Sequence, residues 1–239
     1  MRYLMIITYD GRDFCGWQRQ KNANSIQESL EDKLSFLLKE NIKCTASGRT
    51  DAKVSAYFQP VHFDCNTNFD MEKIKNSLNA LLPNSIKVLS IKQTDLHARF
   101  SAKKKTYLYK MYLSNIDLPL FSDALRIDPN IDVGKMKKFA KLLCGRHDFL
   151  GFRASNAQNE STERTIYNVK LKKNGLYLYF YITGNGFLYK MVRNIVGTML
   201  QVGMNRINLK ELKKSLFSTF KSTHTAPAEF LYLLQVNYS

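Results

Sequence analysis

Acidic residues are scarce in this chain: 20 Asp and Glu stand against 36 Lys and Arg in 239 residues, a formal charge of +16. The excess is spread along the chain, and with 44% hydrophobic residues the composition is that of a folded protein rather than a disordered polycation. A polyanionic partner is the natural reading. Long apolar runs are absent too, and no basic amphipathic end stands apart, so nucleic acid is favoured over a membrane. The short apolar run within Met1 to Ile7 passes at once into Thr8-Tyr9-Asp10 and lacks a small-residue cleavage site, so it does not read as a signal peptide and a cytoplasmic location is expected. Cysteine pairs are missing: Cys15, Cys44, Cys65 and Cys144 include no Cys-x-x-Cys, which argues against a zinc site or a disulfide framework. His62, His97, His147 and His224 are equally dispersed. With no phosphate-binding loop either, neither a metal nor an organic cofactor is expected.

What is present is a regular alternation of strand and helix patterns. Arg2 to Tyr9 is rich in β-branched and aromatic residues and reads as a strand. Ser25-Ile26-Gln27-Glu28 has the form of a capping box, followed by Ile26, Leu30, Leu34, Leu37 and Leu38 at helical spacing. Cys44 to Ser47 and Gln59 to Asp64 read as strands, Asp70 as the cap of a helix ending at Pro83, and Ile86 to Lys92 as a strand. This is the split βαβ order. The second half repeats it: a strand over Thr106 to Leu113, a helical stripe from Val133 to Leu143, and a hairpin of Ile166 to Leu171 with Leu176 to Ile182 across Lys173-Asn174-Gly175. Helices from about Phe187 to Val202 and Leu209 to Phe217 and a strand from Leu231 to Val236 complete it. The expected fold is α+β: two related split-βαβ (ferredoxin- or RRM-like) halves, 1–104 and 105–239, with antiparallel sheets joined across a central basic cleft.

Three local features carry chemistry. Ala46-Ser47-Gly48-Arg49-Thr50-Asp51-Ala52 sets a carboxylate beside a guanidinium on a loop softened by Gly48. Arg49 there can hold Asp51 ionised as a nucleophile or base, although a solvated turn has the same composition. On the helix from Phe187, the residues Tyr189, Lys190, Arg193, Asn194, Gly197 and Gln201 share one arc of an otherwise apolar cylinder, a stripe to be presented to something specific. Lysines alternate with aromatics around Lys103-Lys104-Lys105 with Tyr107 and Tyr109, and again from Lys170 to Tyr179, a mixture suited to phosphate contacts and base stacking.

Tyr9-Asp10-Gly11 with Gly16-Trp17-Gln18-Arg19-Gln20, the segment Gly48-Arg49-Thr50-Asp51-Ala52, His97-Ala98-Arg99-Phe100-Ser101-Ala102 leading to Tyr107, Asp148-Phe149 with Phe152-Arg153, Arg164-Thr165-Ile166, Met191 to Gly197 and Thr225-Ala226-Pro227-Ala228 follow in this order. Together they resemble the tRNA pseudouridine synthase A family over nearly the whole chain. The resemblance implies an isomerase that converts uridine to pseudouridine on the 3′ side of the tRNA anticodon stem-loop (positions 38–40), as a homodimer without cofactor or metal. It implies Asp51 as nucleophile, Tyr107 near the base and Arg193 as partner of the aspartate; Arg49 is assigned to substrate contact. The chain departs from the family's pattern at Lys53 and Ser55, where a glycine and a histidine are usual, and at Glu229-Phe230 after the Ala-Pro-Ala segment. These departures sustain a second reading, a tRNA-binding protein or RNA chaperone with weak or no isomerase activity.

Overall fold

β1 (Arg2–Tyr9) is the central strand of its neighbourhood, followed by α1 (Ile26–Leu38), β2 (Cys44–Ala46), β3 (Ser55–Asp64), α2 (Met71–Leu81) and β4 (Ile86–Gln93). β1 pairs antiparallel with β3 on one side and β4 on the other, and β2 pairs antiparallel with β3. The spatial order β4-β1-β3-β2 is that of a split βαβ unit. The helix starts follow from side chains: Ser25 Oγ accepts from the Glu28 amide at 3.3 Å, and the Asp70 carboxylate accepts from the amides of Glu72 and Lys73, satisfying donors that a first turn otherwise leaves open. Ile26, Leu30 and Leu34 are fully buried along one stripe of α1. Burying each contributes on the order of 1.5–3 kcal/mol relative to exposure.

The computed structural model describes residues 1–154, 161–217 and 219–239. They form two compact units, Met1–Lys103 with Tyr232–Ser239, and Lys104–Leu231. The second contains β5 (Lys104–Leu113), β6 (Leu125–Ile127), α3 (Val133–Leu142), β7 (Gly145–Asp148), β8 (Glu163–Asn174), β9 (Tyr177–Gly184), α4 (Met191–Gly203) and α5 (Leu209–Ser215). Its sheet runs β5-β9-β8-β7, with β6 parallel on β5. The last strand, β10 (Leu231–Asn237), returns to the first unit, where Tyr232 and Leu233 pair parallel with Ser55 and Ala56.

Several details differ from the sequence reading, two of them near the residues singled out there. The β8–β9 hairpin turns over Gly175-Leu176, not Lys173 to Gly175, because the strands pair as far as Asn174 and Tyr177 and Gly175 supplies φ +57°. α4 starts at Met191 rather than Phe187, since Lys190 caps it with φ +58° and breaks the helical path. Tyr189 and Lys190 therefore leave the polar arc. Among the described residues no helix is long and apolar enough to cross a membrane.

Candidate active site

The loop between β2 and β3 is fixed from beneath by polar side chains that themselves are buried. Ser47, fully buried, donates its amide to Pro60 O at 2.8 Å and its hydroxyl to Gln59 Oε1 at 2.7 Å, and Gln59 Nε2 donates to Gly48 O at 2.7 Å. Thr50 Oγ1 lies 2.8 Å from the Tyr9 hydroxyl, and Thr50 O accepts from the Trp17 amide at 3.1 Å. Past Asp51, Val54 N donates to Asp51 O at 3.2 Å, closing a turn, and Lys53 N donates to Phe14 O at 3.1 Å. Backbone on both sides of Asp51 is thus tied to the 9–17 segment, while its side chain is half-buried and Arg49 is exposed.

Two glycines allow that approach. A Cβ on Gly11 would stand 2.0 Å from Val54 O, and one on Gly16, whose φ is +96°, would stand 2.8 Å from Thr50 O. Any larger residue pushes backbone against backbone. Gly48 is not the residue in the left-handed region; Lys53 is, at φ +67°. A glycine at that position suits this geometry, and lysine there carries a left-handed penalty of about 1 kcal/mol. We expect Lys53→Gly to raise the stability of the chain by about 0.5–1 kcal/mol in a denaturant titration; equal or lower stability would show that the turn relaxes around lysine at no cost. Ser55 has a place of its own, accepting from the Gly11 amide at 2.9 Å and reaching Asp10 Oδ1 at 3.5 Å.

Ionisation nearby is settled by local partners. The Arg12 guanidinium, 2.9 Å from both carboxylate oxygens through Nε, holds the Asp10 carboxyl below its ordinary range, and burial pushes the Tyr9 phenol well above its own. Tyr9 therefore supports Thr50 as a neutral hydroxyl.

Tyr107 and Arg193 belong to the second unit, Asp51 and Arg49 to the first. Tyr107 is half-exposed on β5 opposite Ile182, its ring edge-on to Phe187 at 5.2 Å and 88°. Arg193, in the first turn of α4, donates from Nε to Ala226 O at 2.8 Å, while its own carbonyl accepts from the Ala226 amide at 3.1 Å. Asn194 donates to Phe152 O at 2.8 Å and accepts from Thr225 Oγ1 at 2.6 Å. A Cβ on Gly197 would meet His224 O at 2.1 Å. The polar arc of α4 thus packs on the chain's own 224–226 segment and Phe152, which explains why the Met191 to Gly197 and Thr225 to Ala228 motifs occur together.

The supporting residues Tyr9, Trp17 and Gln59 carry no role in the sequence reading. The first two lie inside motifs that resemble the family's opening block; Gln59 has no signal beyond opening the strand read over Gln59 to Asp64, and it sits within β3, which begins at Ser55.

A family model described as tRNA pseudouridine synthase matches residues 5–101 and 139–239. Arg49, Asp51 and Arg193 fall inside the matched segments and Tyr107 between them. A tRNA pseudouridine synthase A from Thermoanaerobacter sp. is 38% identical over 244 residues, covering all of both chains. One from Francisella philomiragia is 37% identical over 241 residues, covering 99% of this chain and 93% of that one. A solved Cbf5-Nop10-Gar1 complex contains a chain similar at TM-score 0.41 and 17% identity over 83% of this chain and 45% of that one, too distant to bear on function. With matches at this identity running from end to end, the chain belongs to the tRNA pseudouridine synthase family.

Proposed function

We propose that the chain isomerises uridine on the 3′ side of the tRNA anticodon stem-loop, with Asp51 as the reacting carboxylate. Membership of the family makes it an isomerase acting on tRNA. The observation that carries the assignment to Asp51 is its setting: a half-buried carboxylate whose flanking backbone is hydrogen-bonded to Trp17 and Phe14 and whose neighbour Thr50 meets the Tyr9 hydroxyl through its side chain. Such a group is held in place before substrate arrives, which is what a nucleophile needs.

The reaction breaks the N1–C1′ bond, turns the base and joins C5 to C1′; the proton from C5 is released and N1 gains one, so no electrons enter or leave. Asp51 can add to C6 of the base, add to C1′ of the sugar, or remove a sugar proton. The target base must first leave its stack, at a cost of a few kcal/mol. Tyr107, steadied by the Phe187 ring, supplies an aromatic surface for the flipped base. Arg193 is assigned as the partner that keeps the aspartate ionised and oriented, and Arg49, exposed on the same loop as Asp51, as a substrate contact. In this reading the enzyme works in the cytoplasm as a homodimer and uses neither metal nor cofactor. Mapping pseudouridine in unmodified tRNA transcripts after incubation with the protein tests it: the product should lie in the 3′ side of the anticodon stem-loop, and product confined to another arm would overturn the substrate assignment.

A further inference from the structure

The segment His97-Ala98-Arg99-Phe100-Ser101 takes no part in the site above, yet it is a turn held by hydrogen bonds along its length. The Ala98 amide donates to His62 Nδ1 at 3.1 Å, and Ala98 O accepts from the Tyr238 hydroxyl at 2.9 Å. His97 Nδ1 accepts from the amides of both Arg99 and Phe100, at 3.2 and 3.1 Å. Ser101 closes the turn in both directions, its amide donating to His97 O and its hydroxyl accepting from the His97 amide, each at 3.0 Å.

Three rings follow one another outward from this anchor. His62 is buried, the His97 ring lies 4.4 Å from it, and Phe100 stacks on His97 at 4.3 Å and 27°. Phe100 ends the column 75% exposed, with the Arg99 guanidinium 5.6 Å from its ring centre. Burial and the neighbouring His97 and Arg2 lower the His62 pKa to about 4, so at neutral pH its Nδ1 remains an acceptor and the anchor holds. A single exposed phenylalanine is ordinary. One clamped by a histidine ring and a fully bonded turn, and flanked by a guanidinium, is preorganised to receive a flat ring. In a chain of charge +16, the flat ring that arrives with a negative backbone attached is a nucleobase.

We propose that Phe100, with Arg99 beside it, is a stacking platform for one unpaired base of the RNA, separate in role from the Asp51 loop. This rests on the reading of the chain as a tRNA-modifying enzyme. Three proteins test it: wild type, Phe100→Ala and Phe100→Trp, each measured for tRNA affinity across a salt series and for tritium release from C5-labelled uridine in tRNA. Loss of the ring should weaken tRNA binding roughly five- to a hundredfold. The slope of log affinity against log salt should not change, because no charge is removed. Phe100→Trp should restore affinity, and its emission should be quenched by tRNA above the background of Trp17, which is 2% exposed. Wild-type affinity in Phe100→Ala, unquenched emission from Phe100→Trp at saturating tRNA, or a change in oligomer size in place of RNA affinity would each overturn the platform. Absence of tritium release from wild type would instead count against the enzymatic reading.

Discussion

Asp51→Asn is expected to fold, to bind tRNA near normally and to lose single-turnover isomerisation by on the order of a thousandfold or more. The substitution keeps the shape of the side chain and removes its nucleophilic charge. Its surroundings predict that the loop will survive, because several bonds that hold it do not involve the Asp51 side chain: Thr50 to Tyr9, Thr50 O to Trp17, Lys53 to Phe14 and Gly48 O to Gln59. Stability should stay within about 1 kcal/mol of wild type. A binding loss as large as the rate loss would mean that Asp51 holds substrate rather than reacts with it, and substantial turnover in a well-folded variant would remove it from the chemistry.

Gly11→Ala should have the next largest effect, although Gly11 carries no functional group. Its added methyl would lie 2.0 Å from Val54 O, and since the obstacle is backbone, no side chain can swing aside. The 51–54 turn must move, and with it the Gly11 N to Ser55 Oγ bond. A displacement of about an ångström at the reacting group can cost roughly a hundredfold in rate, and the forced overlap about 1–3 kcal/mol in stability. Gly175→Ala is the matched control: φ is +57° but no atom lies within 4 Å of the added carbon, so a stability loss of about 1 kcal/mol should leave the rate unchanged. Wild-type turnover in Gly11→Ala would show that the 9–17 segment does not position Asp51.

Much of this is legible in the sequence where structure depends on near neighbours. β1 begins and ends at the predicted residues, and Ser25 and Asp70 cap helices as their spacing indicates, because alternation and caps are local matters. β6 and β7, of three and four residues, are too short for any periodicity to register. The start of α4 was hidden because Lys190 enters a left-handed conformation that composition does not announce. At the site, Asp51 could be picked out, but the device that holds it could not. Tyr9 and Thr50 meet across 41 positions, and the packing of Gly11 on Val54 is a tertiary contact with no local pattern. Gly48 drew attention as the flexible residue, whereas the strained angle fell on Lys53. The polar arc of α4 also holds the chain's own 224–226 segment through Arg193 Nε, Asn194 and Gly197, a tertiary contact that a helical projection does not show.

Membership of an enzyme family leaves one question about this chain, whether Lys53, Ser55 and Phe230 leave the Asp51 loop competent. Release of tritium from C5-labelled uridine in unmodified tRNA by the purified wild-type protein answers it most directly. We predict multiple turnovers, with substitution of the exposed Lys53 altering apparent affinity more than the chemical step. Stoichiometric tRNA binding with no tritium release, across a full set of tRNAs bearing uridine in the anticodon arm, would contradict the account and make the chain a tRNA-binding protein.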